Sequence, residues 1–192
     1  MEVHLILISM QQLSDNELLL FIQQGNTLAF SILVERHSQT FYRLAFRFLN
    51  DSHQAEDIVQ DAFLKLWEKP LLWNEKKQTK FSTWFYQVII NRCLDHNRKQ
   101  THFPLQSATE THLSDPGFSS EEQLIQQEKQ YWLEQLINEL PDRQRTALNL
   151  CFFEALSNQE AADIMHLNLK ALQSLIMRGK TNIKNKLNKR IK

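Results

Sequence analysis

Glycine and proline are scarce in this 192-residue chain, with three and four copies, which excludes collagen-like repeats and argues against turn-rich sandwiches and barrels. Leu, Gln, Glu, Lys and Asn dominate instead, a mix that favours long helices, so an all-α protein is expected. Cysteine is rare as well. Cys93 and Cys151 stand far apart with no CxxC or Cys/His spacing, so neither a disulfide framework nor a zinc site is indicated, and a reducing compartment is expected. No apolar run is long enough to span a bilayer. The short run within Met1–Ser9 lacks a basic n-region and a cleavage site, so residues 1–9 are read as a disordered extension without targeting or membrane insertion. There is no Ser/His/Asp constellation, no cluster of metal ligands and no phosphate-cradling glycine loop, so neither catalysis nor a cofactor is expected.

A surplus of charge is lacking too: 22 Lys and Arg balance 22 Asp and Glu. Zero net charge argues at first against a nucleic-acid partner. The distribution reverses that impression. Lys170, Arg178, Lys180, Lys184, Lys186, Lys189, Arg190 and Lys192 fall between Ile164 and the C-terminus without one Asp or Glu, whereas acids outweigh bases from Glu110 to Asp163. The zero is a cancellation between segments, and segregated charge implies different partners for different parts.

What is present is helical periodicity. Phe30, Leu33, Val34, Phe41, Leu44, Ala45 and Phe48 follow a 3.6-residue period and mark a long helix entered after Gly25-Asn26. His37 falls on that face and is read as a hydrogen-bonded core residue. The next helix opens at Asn50-Asp51-Ser52, closes before Pro70 and buries Ala55, Ile58, Val59, Ala62, Phe63 and Leu66. Its other side carries Asp57, Gln60, Asp61, Leu64 and Glu68, either a solvated face or a docking surface for a basic protein partner.

After a loop holding Pro70, Trp73, Lys76, Lys77 and Lys80, a further helix is expected from Phe81 to Lys99, with Tyr86, Ile89, Ile90 and Cys93 on its apolar side. Its polar stripe has Trp84, Gln87, Asn91, Asp95 and Arg98, with Arg92 and Lys99 alongside. An exposed ring beside cations and amides suits unstacked bases; Trp84 and Phe85 equally suit the cap of a core. Residues 101–120, rich in Thr, Ser, His and Gln with an Asp115-Pro116-Gly117 turn, read as a linker between domains at 10–100 and 121–192.

In the second domain, Leu133, Leu136, Ile137 and Leu140 form an apolar stripe, and Pro141 starts the next helix. Ser157-Asn158-Gln159-Glu160 is a capping box. A short helix with paired small residues, Ala161 and Ala162, then leads through a tight turn to Asn168, which can cap a second helix. This is the spacing of a helix-turn-helix. The second helix is expected to bury Leu172, Ile176, Ile183 and Leu187 and to leave Lys170, Gln173, Ser174, Met177, Arg178 and Lys180 for DNA, with Leu175 counted beside Met177 on the base-reading side. Gln173 suits adenine, and Arg178 suits guanine or phosphate.

Three blocks together resemble the extracytoplasmic function (ECF) sigma factors of bacterial RNA polymerase from Met10 onward. Ala55 to Trp67 is similar to the family's core-polymerase-binding helix, which implies that Asp57, Gln60, Asp61, Leu64 and Glu68 hold a coiled coil of the largest polymerase subunit. Phe81-Ser82-Thr83-Trp84-Phe85 through Asn91, Asp95 and Arg98 resembles the segment that recognises and melts the minus 10 element. This implies DNA-binding roles for Lys76, Lys77, Lys80, Trp84, Gln87, Asn91, Arg92, Arg98 and Lys99, with the basic loop forming the pocket for a flipped-out base. Leu140-Pro141-Asp142-Arg143-Gln144 to Leu187 resembles the domain that reads the minus 35 element. The resemblance implies a cytoplasmic promoter-specificity factor with core RNA polymerase, promoter DNA and an anti-sigma factor as partners. A free-standing regulator, or a sigma-like decoy that sequesters an anti-sigma factor, stands as the alternative. The chain departs from the family pattern at Ala155, where glycine is usual, at Met165-His166 in the turn, where an unusual backbone conformation is expected, and at Leu175, Met177 and Gly179 in the recognition helix.

Overall fold

The computed structural model describes residues 9–73, 80–102 and 132–190, and every element among them is helical. The 1–8 stretch, Lys76, Lys77, the 103–120 part of the expected linker and the helix onset at 120 lie outside the described residues. The chain divides into two compact units, residues 1–97 and 98–192.

In the first unit, Ser14 and Glu17 form a capping box that starts α1 (Asp15–Gln23), which buries Leu18, Leu19 and Ile22. The helix ends in paired bonds from Asn26 N–H to the Phe21 carbonyl and from Gly25 N–H to the Ile22 carbonyl. That Schellman closure requires the left-handed φ of +79° at Gly25. Asn26 then caps α2 (Thr27–Leu49), and Asp51 caps α3 (Ser52–Glu68). A 3₁₀ turn (Pro70–Leu72) follows, and α4 runs Phe81–His102, longer than expected.

The core of this unit is aromatic. Phe85 of α4 lies with its ring 4.7 Å from Phe41 of α2 and 4.6 Å from Phe63 of α3, so one side chain joins three helices. His37 has the hydrogen bond anticipated for it: its Nε2 lies 2.8 Å from Asp15 Oδ2, and its ring meets the edge of Phe81 at 5.4 Å. Asp15 also pairs with Arg36, whose Nη2 donates to the carbonyls of Gln11 and Leu13. One carboxylate thus ties the first helix to the second.

In the second unit, residues 132–138 are helical. Pro141 precedes α5 (Asp142–Leu148), which runs directly into a π turn (Asn149–Phe153) closed by Glu154 N–H on the Asn149 carbonyl at 3.1 Å. Helices α6 (Asn158–Ile164) and α7 (Leu169–Arg190) complete it. Ile137, Leu140 and Leu148 form its interior with Phe153, Ile176 and Ile183 against them. Leu133, expected on the buried stripe, is 40% exposed. The interior also holds Arg145, Thr146 and Asn149, three polar side chains that periodicity had not marked as buried.

Burial works to raise the Asp15 carboxyl, but the hydrogen bonds and charges of His37 and Arg36 outweigh it and leave its pKa below the ordinary value of 3.8. A carboxyl whose pKa falls on folding contributes stability that is complete above its unfolded value and fades as pH drops through the folded one. Asp15→Asn is therefore expected to cost about 1 kcal/mol at neutral pH, with the gap from wild type in urea midpoint narrowing as pH falls below about 3.8.

Candidate nucleic-acid and partner interfaces

On α3, helical period sorts the side chains into two opposed sets. Ala55, Val59, Ala62, Phe63 and Leu66 are buried, and Ile58 is half-buried. Asp57, Gln60, Asp61, Leu64 and Glu68 are all exposed. Leu64 is a large apolar side chain, 54% exposed, set among carboxylates. The Gln60 amide donates to Glu56 Oε1 at 3.0 Å, which steadies the stripe along its own helix.

On α4, Lys80 stands exposed just before the first turn, and Asn91, Arg98 and Lys99 are exposed further along, while Gln87 is half-buried. Two of these side chains are less open than a free polar stripe would leave them. Trp84 is not a freely standing ring: it is half-buried, with centroids 6.0 Å from Phe81 and 5.8 Å from Phe85, so only part of its surface is open to a base. Arg92 turns toward α3, where its Nη1 lies 3.9 Å from Asp61 Oδ2. It borders the acidic stripe as much as the basic one, and such an open, long pair contributes little to stability. Trp73, which closes the 3₁₀ turn, reads in the sequence as a loop residue with no sign of burial; it is 3% exposed, and its Nε1 has no hydrogen-bond partner among the described residues.

In the second unit the Ser157 capping box is formed in full, with Glu160 N–H donating to Ser157 Oγ at 3.2 Å and Ser157 N–H donating to Glu160 Oε2 at 3.1 Å. Ala161 and Ala162 are fully buried. The turn closes by bonds from Leu167 N–H to the Ala162 carbonyl and His166 N–H to the Asp163 carbonyl, a Schellman closure that places His166 at φ +52°. The unusual backbone expected there is present. Asn168 Oδ1 then accepts from Ala171 N–H at 2.8 Å and starts α7.

Along α7, Lys170, Gln173, Ser174, Met177, Arg178 and Lys180 are exposed, as expected. Leu175 is not on the base-reading side; it is 9% exposed and packs inward, next to fully buried Leu172 in the helical period. Leu187, expected inside, is 41% exposed. It borders an open apolar groove of about 700 Å³ whose lining includes Leu133, Ile137, Phe152 and Ile183. Lys180 places its ammonium 4.7 Å over the Phe152 ring at that groove, so its charge is partly committed to the protein itself. Cys151 is half-buried with its thiol pushed up by burial, which gives no sign of a reactive thiolate. Among the described residues no group of side chains is arranged to hold a metal, and no helix is long and apolar enough to cross a membrane.

Family models match both units: sigma-70 region 2 over residues 33–103 and sigma-70 region 4 over residues 130–183. The RNA polymerase sigma-H factor of Pseudomonas aeruginosa is 30% identical over 183 residues, covering 90% of this chain and 93% of that protein. The ECF RNA polymerase sigma factor SigW of Bacillus subtilis is 27% identical over 175 residues, covering 86% and 92%. Among solved structures, CnrH in complex with the cytosolic domain of CnrY superposes with a TM-score of 0.66 at 21% identity, over 91% of this chain and 97% of that one. The sigma factor RpoE of Bartonella quintana, solved with the anti-sigma factor NepR, gives 0.62 at 19% identity over 83% and 96%. At these identities the two structures speak for the fold alone.

Two alanine and glycine positions in this unit carry opposite expectations. Ala155 is held at φ +51°, a conformation that strains an L side chain, so Ala155→Gly is expected to raise stability by up to about 1 kcal/mol. A Cβ at Gly179 would lie 2.9 Å from Leu148 Cδ1. Gly179→Ala is therefore expected to cost about 1–3 kcal/mol by overpacking, despite the better helix propensity of alanine. Thermal and urea denaturation of the two variants checks both signs.

Proposed function

The chain belongs to the sigma-70 family, in its extracytoplasmic function group, and is a promoter-specificity sigma factor; from that premise we propose which of its surfaces meet each partner. Residues 10–100 serve as the region 2-like domain and 121–192 as the region 4-like domain, joined by a linker at 101–120 and preceded by an extension at 1–9. Asp57, Gln60, Asp61, Leu64 and Glu68 hold core RNA polymerase. The observation that supports this most is Leu64 itself, a large apolar side chain left exposed among acids on a helix whose opposite side is sealed in the core. A purely solvated face has no need of it, whereas a docking surface gains an apolar anchor inside a charged rim.

Lys80, Trp84, Gln87, Asn91, Arg98 and Lys99, with Lys76 and Lys77 of the preceding loop, take the opened minus 10 strand. The open part of the Trp84 ring offers a stacking surface and the cations hold phosphates. Arg92 joins them at the border with the polymerase-facing surface, where it lies near Asp61. The α7 helix enters the major groove at minus 35 with Lys170, Gln173, Ser174, Met177 and Arg178, while Lys180 stays at the rim. Each contact is weak alone, as befits a chain of zero net charge, and the promoter is held only when polymerase supplies the rest. Bond formation stays with the polymerase: this reading gives the chain no catalysis of its own and places it in the cytoplasm with its partner. The Bartonella quintana factor is captured with an anti-sigma factor, and an anti-sigma partner of corresponding kind is proposed here.

Asp61→Lys is expected to weaken binding to core RNA polymerase by about tenfold or more in a competition assay, since it reverses one charge at a complementary interface. Arg178→Ala is expected to leave core binding intact and to lower minus 35-dependent transcription several-fold. Unchanged core affinity in the first variant would remove the acidic stripe from the assignment. Unchanged minus 35 dependence in the second would do the same for α7.

A further inference from the structure

The sulfur atoms of the described residues are unequally open to solvent. Cys93 is fully buried, Met10 is 9% exposed, and Cys151 and Met165 are half-buried. Met177 stands apart at 69% exposed. A thiol reacts as its thiolate, and burial pushes the Cys151 thiol up, which keeps it protonated and slow. A thioether has no proton to lose, so access alone sets how fast it is attacked. Along α7, Gln173 and Ser174 precede Met177 by four and three residues, and Lys180 and Thr181 follow it by three and four, all exposed on one side. The hydroxyls of Ser174 and Thr181 donate back to the carbonyls of Lys170 and Met177 at 2.9 and 3.0 Å. Both are turned onto the helix backbone and leave the thioether open.

Resting on the reading of α7 as the minus 35 recognition helix, we propose that Met177 is a site of reversible oxidation, where peroxide converts the thioether to a sulfoxide and loosens the hold on minus 35 DNA. A sulfur lone pair attacks one oxygen of hydrogen peroxide and the O–O bond breaks. The proton of the transferred oxygen passes through water to the departing hydroxide, which leaves as water. Sulfur loses two electrons and the peroxide gains them. The step needs water at the sulfur, which Met177 has and Met10 lacks. Its product puts a polar, chiral S–O group where a flexible apolar side chain stood. On docking, that oxygen has to give up water, a cost that falls on the DNA-bound state alone. The stripe of Asp57, Gln60, Asp61, Leu64 and Glu68 holds no sulfur, so polymerase binding is left as it was. A methionine sulfoxide reductase reverses the change, with two thiols oxidised to a disulfide and the oxygen released as water.

The test treats the full chain with hydrogen peroxide, removes the oxidant and assembles the protein with core RNA polymerase on a minus 35-dependent promoter. Peptide mass mapping follows every methionine, Met1 included; cleavage after Lys170 and Arg178 separates Met177 from Met165. Among the described methionines, Met177 is expected to oxidise first. Minus 35-dependent transcription is expected to fall at least about fivefold, the low end for burying one unpaired polar group. Core affinity is expected to hold, and sulfoxide reductase with dithiothreitol to restore transcription. Met177→Leu, measured before and after treatment, is expected to show no further loss, and Met177→Gln to resemble the oxidised protein without any oxidant. Preferential oxidation of Met10 or Met165, or an equal loss in treated Met177→Leu, would overturn the proposal. So would full oxidation of Met177 without loss while Arg178→Ala still lowers transcription, and α7 would then remain the recognition helix. If neither oxidation nor Arg178→Ala changed minus 35 dependence, the reading of α7 would fall and the proposal with it.

Discussion

Phe85, fully buried between Phe41 and Phe63, is the contact on which the arrangement of the first unit rests. An α-helix turns about 100° per residue, so fixing one residue in the core decides where its neighbours point. With Phe63 held against Phe85, Leu64 must face away, and Asp57, Gln60, Asp61 and Glu68 follow it to the outside. With Phe85, Ile89 and Cys93 inward on α4, Asn91, Arg98 and Lys99 are carried outward. The aromatic cluster therefore stabilises the unit and orients both of its candidate surfaces. Those surfaces meet where Arg92 approaches Asp61.

The second unit depends on close approach instead of large rings. Ala161 and Ala162 leave room for α7, and Gly179 lets that helix pass over Leu148 with no side chain between them. Two non-glycine residues, Ala155 and His166, sit in the left-handed region on either side of α6, in the turns that lead into it and on to α7. The departures from family pattern at these positions thus keep the turns and carry strain that glycine would relieve.

Much of this was legible in the residues. Asn26, Asp51, Ser157 with Glu160 and Asn168 each announced a helix start, and each forms its cap in the structure. The exposed stripe on α3 was legible because a long, regular helix projects its sequence onto faces without help from elsewhere. The errors fell where a side chain's surroundings depend on another helix. Leu175 turns inward, Trp84 is half covered by Phe81 and Phe85, and Lys180 finds Phe152. The π turn at Asn149–Phe153 had no local sequence signal, since it inserts one extra residue per turn without glycine or proline. Phe152, whose ring Lys180 covers, belongs to that turn.

Zero net charge is the constraint that joins the two units into one account. An acidic stripe suits a basic protein surface and an acid-free basic helix suits DNA, and both attractions weaken as salt rises. Mapping transcription start sites on the organism's own genomic DNA, with purified chain and core RNA polymerase, tests this most directly. The expected result is a set of starts that appears only when both are present and shares two upstream elements at a constant spacing. Starts that do not depend on the chain, or no starts at all, would contradict the account.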